Sequence, residues 1–302
     1  MGGPGARDAG PSGLLARLGR FLAQGLGRGE FRCQCCGALV ARPAADSAAD
    51  SAPASLPDSF TDPAHGLPLC ADCARLLARR AGGFCPVCGE IFADASAPPH
   101  RCGGCLRAPP PWERLAFWGL YEGVLAELVQ AFKYDAALKR SALLQALAAG
   151  AWAARRAADG ISGVPGPDLI APVPLHESRL AQRGFNQSLE LARGIARASG
   201  ASGASGASGK LGAPGPELAP RALARLRNTV PQARLARAER LTNLRGAFAA
   251  DPAQVAGRRV LLVDDVTTTG ATLLECAKAL RAAGAAAVDV AVLARSDGRG
   301  GA

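Results

Sequence analysis

The sequence predicts an α/β fold, a parallel sheet flanked by helices, with a cysteine-rich double ribbon placed before it. Three observations carry that expectation. Residues 260–263, Val-Leu-Leu-Val, form a short continuous apolar run, the pattern of a strand covered on both faces. Leu273, Leu274, Ala277 and Leu280 follow at helical spacing, so strand passes directly into helix. Eight of the ten cysteines fall into four C-x-x-C pairs between residues 33 and 105.

At 302 residues the chain suits one large or two small domains with a real core. Its net charge of +10 suits an anionic small molecule, a nucleic acid, or both, and does not choose between them. No run of about eighteen apolar residues occurs, so no membrane span is expected. The glycine-rich start lacks a sustained apolar core with a cleavage site; no secretory signal is read, and a cytoplasmic protein is expected. Within an N-terminal segment, 1–30, Leu14, Leu15, Leu18, Phe21 and Leu22 share one face. A short helix docked on the next domain is expected there, with membrane-surface binding as the alternative.

The cysteine pairs are Cys33/Cys36, Cys70/Cys73, Cys85/Cys88 and Cys102/Cys105. A tight turn aims two thiolates at one metal, and two such turns complete a tetrahedral four-cysteine zinc site. Sequential pairing puts the first two knuckles on one zinc and the last two on another; spacing also allows a cross-braced arrangement. Gly37, Gly89 and Gly103 at the knuckles favour zinc over disulfides, as does the lack of a secretory signal. Zinc with four protein ligands has no open position, so both ions are expected to be structural. The double ribbon is expected over 31–108, interrupted at about 41–66 by a disordered Ala/Asp/Ser/Pro insertion. Cys35 makes the register of the first knuckle ambiguous, and Cys276 reads as a small buried hydrophobe.

Pro109-Pro110-Pro111 makes a stiff boundary, and the sheet domain is expected over 112–296. Residues 115–121 read as a strand. Val124, Leu125, Leu128, Val129 and Phe132 then keep helical spacing up to Phe132-Lys133-Tyr134, and 137–158 make an alanine-rich helix. Lys133 reads as a solvated charge near a helix C-terminus, where the dipole favours it; a ligand-facing role is the alternative. Residues 168–175 form the next strand and a proline-fixed turn, followed by Arg179 and Arg183-Gly184-Phe185-Asn186-Gln187 and a helix to about 198. A parallel strand ending in a polar loop before a helix is where open α/β sheets bind ligands. A capped helix start with a packed phenylalanine accounts for the same residues. The Ser-Gly-Ala repeat and the Gly/Pro stretch after it, 199–219, read as a disordered insertion. An arginine-rich arm, 226–248, could close on a polyphosphate or grip a nucleic-acid backbone, and a solvated basic helix accounts for the same residues. Residues 288–294 make the last strand, and 297–302 a loose tail.

Residues 259–273 are the stretch the rest serves. Asp264 and Asp265 stand at the end of the apolar run, and Thr267, Thr268, Thr269, Gly270, Ala271 and Thr272 lead into the helix. Free N–H groups and the dipole at a helix start attract an anion, and Gly270 lets the backbone approach it. Two carboxylates do not suit phosphate alone. They suit a sugar, whose vicinal hydroxyls donate to them, and they favour a nearby Mg²⁺. Neither a Walker loop nor a dinucleotide glycine turn is present.

This run resembles the phosphoribosyl-pyrophosphate (PRPP) signature of type I phosphoribosyltransferases. The order of parts along 31–296, apart from the two insertions, resembles the competence protein F (ComF) family. Those parts are the double ribbon, Phe132-Lys133-Tyr134, Pro172-Val173-Pro174-Leu175, Arg183 to Gln187, Thr229 with Gln232, and the aspartate-pair loop. The resemblance implies a type I phosphoribosyltransferase-like sheet, with Asp264 and Asp265 on the ribose hydroxyls and residues 267–272 on the 5′-phosphate. It places the turn containing Pro174, with Arg179 and Arg183, on the pyrophosphate, which Mg²⁺ accompanies. Asp264, Asp265 and Arg183 are then the candidate catalytic residues, for glycosyl transfer to a nitrogen nucleophile. Family members are associated with DNA uptake and natural transformation. The alternatives are a PRPP sensor without turnover, or an accessory protein whose partners are single-stranded DNA or DNA-uptake proteins.

Overall fold

The computed structural model describes residues 30–41, 69–134, 141–159, 165–200, 215–228 and 244–297. The amphipathic 14–26 segment, residues 42–66 of the first insertion, 201–214 of the second, Thr229 and Gln232 of the arm, and the tail beyond 297 lie outside them.

Strands β1 (Glu30–Arg32) and β2 (Leu39–Ala41) pair antiparallel around the first knuckle. Helices α1 (Ala71–Leu76) and α2 (Gly103–Arg107) start directly after Cys70 and Cys102. In each, the cysteine sulfur is the N-cap, accepting from the N–H of Cys73 or Cys105. Strands β3 (Leu115–Ala116) and β4 (Gly119–Leu120) replace the single strand expected at 115–121; both keep one register on the last strand, with an irregular step at Phe117 and Trp118.

Then come α3 (Gly123–Tyr134), α4 (Ser141–Ala158), β5 (Leu169–Pro172), α5 (Glu177–Arg183), α6 (Gln187–Ala198) and β6 (Glu217–Leu218). An antiparallel ribbon, β7 (Leu223–Arg225) with β8 (Phe248–Ala250), leads through α7 (Pro252–Val255) to β9 (Arg259–Thr267), α8 (Ala271–Ala282) and β10 (Ala287–Arg295). Gly284, at φ +91°, follows the end of α8, as expected for its left-handed position. Helix α5 was not expected from sequence: none of its residues is buried, so it carries no apolar stripe.

The main sheet runs β3–β10–β9–β5–β6, all parallel. The period of two divides β9 between two cores. Val260 and Leu262 pack with Leu273, Cys276 and Leu280 of α8 on one face. Leu261 and Val263 pack with Leu128, Leu144 and Leu191 of α3, α4 and α6 on the other. Each such leucine contributes about 1.5–3 kcal/mol on full burial, which is why the middle of β9, residues 260–263, and most of β10 are apolar and the polar residues gather at the strand ends. Asp289, buried within β10, accepts from Arg114 Nε at 2.8 Å.

The ribbons are packed onto this sheet. Phe84 meets Phe117 edge to face at 4.9 Å, and Trp118 Nε1 donates to Leu77 O at 2.6 Å. The prolines at 109–111 therefore mark a change in composition without a break in packing. No helix among the described residues is long and apolar enough to cross a membrane.

Candidate functional site

Strands β5 and β9 are neighbours, yet the chain leaves them in opposite directions. The segment after β5 feeds α6 on one face of the sheet, while the segment after β9 feeds α8 on the other. A crevice opens at the carboxyl ends of two strands whose connections diverge in this way. Pro172 is in register with Val263, and Val173 N donates to Val263 O at 2.8 Å, so the turn after β5 lies beside the aspartates.

Strand β9 extends to Thr267, four residues past the apolar run, so Asp264 and Asp265 belong to the strand itself. Asp264 Oδ1 accepts from Ser188 Oγ at 2.8 Å and from Asp265 N at 2.9 Å. Burial first, and the charge of Asp265 second, push its carboxyl up to about 7, against the pull of Ser188. Asp265 Oδ1 accepts from Val266 N at 2.7 Å, while its Oδ2 lies 2.7 Å from Lys133 Nζ. Burial lowers the Lys133 pKa, but the attraction and hydrogen bond of Asp265 outweigh it and the net shift is upward. Lys133 is thus an ion-pair partner inside the site, and not the solvated helix-end charge that its sequence position suggested.

Downstream, Thr267 is buried, and its carbonyl accepts from Ser296 N at 2.9 Å and Arg295 Nη1 at 3.3 Å. It anchors the loop and does not line it. Thr268, Thr269, Gly270 and Thr272 are half-buried, while Ala271 is covered as the first residue of α8. Gly270 has φ +77°, the left-handed region, and stands at the start of α8 without a side-chain capping bond of its own. Thr269 Oγ1 accepts from Ala271 N at 3.4 Å.

On the β5 side, Arg183 to Gln187 form the capped helix start with a packed phenylalanine. Asn186 caps α6, accepting from Ser188 N at 3.0 Å, and its amide donates to Val173 O at 3.0 Å. Phe185 packs on Phe132 at 5.2 Å, which brings the end of α3, and with it Lys133, to the aspartates. Arg179 and Arg183, on α5, are half-buried; a cleft of about 380 Å³ lined by Pro174, Phe185, Asn186, Leu189, Glu190 and Arg193 opens on this side of the sheet, with neither Arg179 nor Arg183, and neither aspartate, in its wall. Arg225, at the end of β7, packs over the Phe248 ring and feels the same charges: burial, then the like charge of Arg179, lowers its pKa, while Cys276 and then Asp264 pull it back. Ser188 and Arg225 carry no motif and were missed; only the three-dimensional neighbourhood marks them.

The Sγ atoms of Cys33, Cys36, Cys70 and Cys73 all lie within 4.8 Å of one another, as do those of Cys85, Cys88, Cys102 and Cys105. The sequential pairing is the one formed. Four sulfurs at that separation, with no disulfide among them, suit one tetrahedral soft-ligand cation at each cluster. Within the second cluster, hydrogen bonding from Cys88 draws Cys85 down, while the same contact and burial push Cys88 up, so the proton is held unevenly among the sulfurs. Cys35 stays outside both groups, half-buried against the core, and Cys276 is fully buried.

Comparison with known proteins places this geometry. Residues 214–301 match the model of the phosphoribosyl transferase domain. The DNA utilization protein YhgH of Salmonella typhi is 36% identical over 228 residues, covering 76% of this chain and 90% of that protein. Competence protein F of Haemophilus influenzae is 32% identical over 213 residues, covering 70% and 85%. The transcriptional regulator GfcR of Methanococcoides burtonii is 44% identical over 52 residues, 17% of this chain and 26% of that one. With its paired four-cysteine clusters and a phosphoribosyltransferase-type sheet behind them, the chain belongs to the competence protein F family.

Proposed function

We propose that the crevice between β5 and β9 binds PRPP and that the protein is a phosphoribosyltransferase acting on a nitrogen nucleophile, in the service of DNA uptake or nucleotide metabolism. The observation that carries this reading is the pair Asp264–Asp265 on β9, whose last residue, Thr267, stands three residues before the left-handed Gly270 that opens α8. Asp264 and Asp265 would accept from the ribose hydroxyls, and Thr268, Thr269, Gly270, Ala271 and Thr272 would hold the 5′-phosphate. The turn at Pro174, with Arg179 and Arg183, would take the pyrophosphate, and Arg225 adds a third cation. In the transfer, the bond from C1 to the pyrophosphate oxygen breaks as the C1–N bond forms, and pyrophosphate leaves with the electron pair. Positioning and cationic groups aimed at the leaving oxygens are what such a step needs. Mg²⁺ bound with the substrate would supply further charge neutralisation there. Two structural zinc ions would fill the four-cysteine clusters.

A second reading has its own support. The regulator GfcR shares similarity with a 52-residue segment of this chain, so a PRPP sensor that turns nothing over fits the same pocket. A role in binding single-stranded DNA draws on the net charge of +10 and on relatives named for DNA utilization, but stacking aromatics make up only 5% of the chain. Calorimetric titration with PRPP and Mg²⁺ tests the first claim. Asp264→Asn/Asp265→Asn should lose at least about 100-fold in affinity, as two charge-assisted acceptors disappear. Equal binding by wild type and variant would end the proposal. Release of pyrophosphate with candidate amines then separates enzyme from sensor, and DNA binding that survives the double substitution would favour the accessory reading.

A further inference from the structure

The second cysteine cluster and the 267–272 loop are linked by an unbroken set of hydrogen bonds. In the knuckle Cys85-Pro86-Val87-Cys88-Gly89, three backbone carbonyls are taken by donors from the sheet domain. Leu115 N donates to Pro86 O at 2.9 Å, Trp112 Nε1 to Val87 O at 2.6 Å, and Arg295 Nε to Gly89 O at 3.0 Å. The same Arg295 guanidinium reaches the loop, through Nη1 to Thr267 O at 3.3 Å. The ring of Trp112 lies about 4.0 Å from where a Cβ on Gly270 would be. Gly89 makes this approach possible: at φ +72°, an added Cβ there would lie 3.2 Å from both Arg295 Cδ and Leu115 Cδ2. Among the described residues, the first cluster is tied to the sheet elsewhere. Its helix α1 is tied to Trp118 through Leu77, which packs on the opposite face of the sheet.

We propose that Arg295 and Trp112 are positioning residues through which the second four-cysteine cluster sets the geometry of the 267–272 loop, so that metal in that cluster and grip on the terminal phosphate of the ligand rise and fall together. A C-x-x-C turn is held by two metal–sulfur bonds, and its carbonyls point in fixed directions only while those bonds persist. Arg295 is almost fully buried, and its Nη2 lies 3.9 Å from Glu90 Oε2 beside the same knuckle, so its guanidinium follows the knuckle when the carbonyl partner moves. Motion of Gly89 O is therefore passed to Thr267 O, the last backbone group before the loop. The phosphate half of the proposal rests on the PRPP reading; the coupling of cluster to loop does not.

The test is hydrogen exchange by mass spectrometry on the ligand-free full chain, with zinc content measured on each sample. Cys102→Ser/Cys105→Ser should lose one metal and exchange residues 268–272 about tenfold faster. Cys33→Ser/Cys36→Ser should lose the other metal and leave 268–272 protected. Arg295→Lys and Trp112→Phe, which keep all eight thiols, should retain both metals yet loosen the loop, and they carry the test alone if a serine variant does not fold. Unchanged protection in Arg295→Lys, or equal loosening after loss of either cluster, would overturn the proposal. Should the loop behave as expected while wild type shows no affinity for PRPP, the coupling stands and the phosphoribosyl reading fails.

Discussion

Lys133 Nζ lies 2.7 Å from Asp265 Oδ2, so the acidic pair of the candidate site carries its own cation. The two side chains come from the end of α3 and the end of β9, brought together by Phe132 packing on Phe185. Without Lys133, two neighbouring carboxylates would face each other partly out of water, with one of them already pushed up to about 7.

Lys133→Met should therefore destabilise the protein by about 2 kcal/mol, the cost of leaving a partly buried carboxylate without its charged partner. Millimolar Mg²⁺ should restore more stability to this variant than to wild type. Urea denaturation with and without Mg²⁺ measures both, and a variant as stable as wild type in each condition would show that the pair contributes nothing.

Ligand affinity should rise as pH goes from 6 to 8. Only the ionised Asp264 offers full acceptor capacity to sugar hydroxyls, and its pKa lies at about 7. The same shift has a stability consequence of opposite sense. The carboxyl pKa is higher folded than unfolded, so the folded state holds an extra proton between about pH 4 and about pH 7, and stability falls as pH rises across that window. Asp264→Asn should flatten the stability slope and leave only the ligand phosphate to titrate in binding. Calorimetry and urea midpoints across the pH series read the two effects separately.

Ser188→Ala removes the hydroxyl that donates to Asp264 at 2.8 Å. The hydroxyl favours the ionised form, so its loss should move the midpoint of the pH-dependent affinity upward, at a cost of about 1 kcal/mol in stability. A midpoint that stays in place, measured by the same titrations, would remove Ser188 from the site.

Gly270→Ala tests the turn itself. Space is not the obstacle, because an added Cβ would meet nothing closer than the ring of Trp112 at 4.0 Å. The obstacle is φ +77°, which costs an alanine roughly 1–2 kcal/mol. Thermal unfolding should register that cost, and affinity for ribose 5-phosphate should fall about tenfold if the loop relaxes away from the left-handed conformation.

Much of this was legible in the residues alone. The apolar run at 260–263 needs no context to become a buried strand, because only a site covered on both faces accommodates it. The C-x-x-C pairs announce two four-cysteine clusters, since thiol spacing is a local property of a tight turn. The glycine after the threonines and the helix behind it are local as well, and so is Gly284 at its end.

What the sequence by itself determined is therefore the set of parts: strands, helix ends, knuckles, and an acidic pair before an anion-binding turn. Only the tertiary structure decided which parts face each other. Asp264 with Ser188, Asp265 with Lys133, and Thr267 with Arg295 are separated by 76, 132 and 28 positions. Periodicity and spacing report on neighbours within a turn or two of chain. Partners across such distances are chosen by how the two faces of the sheet are covered, and that choice turned Lys133 from a surface charge into the counterion of the site.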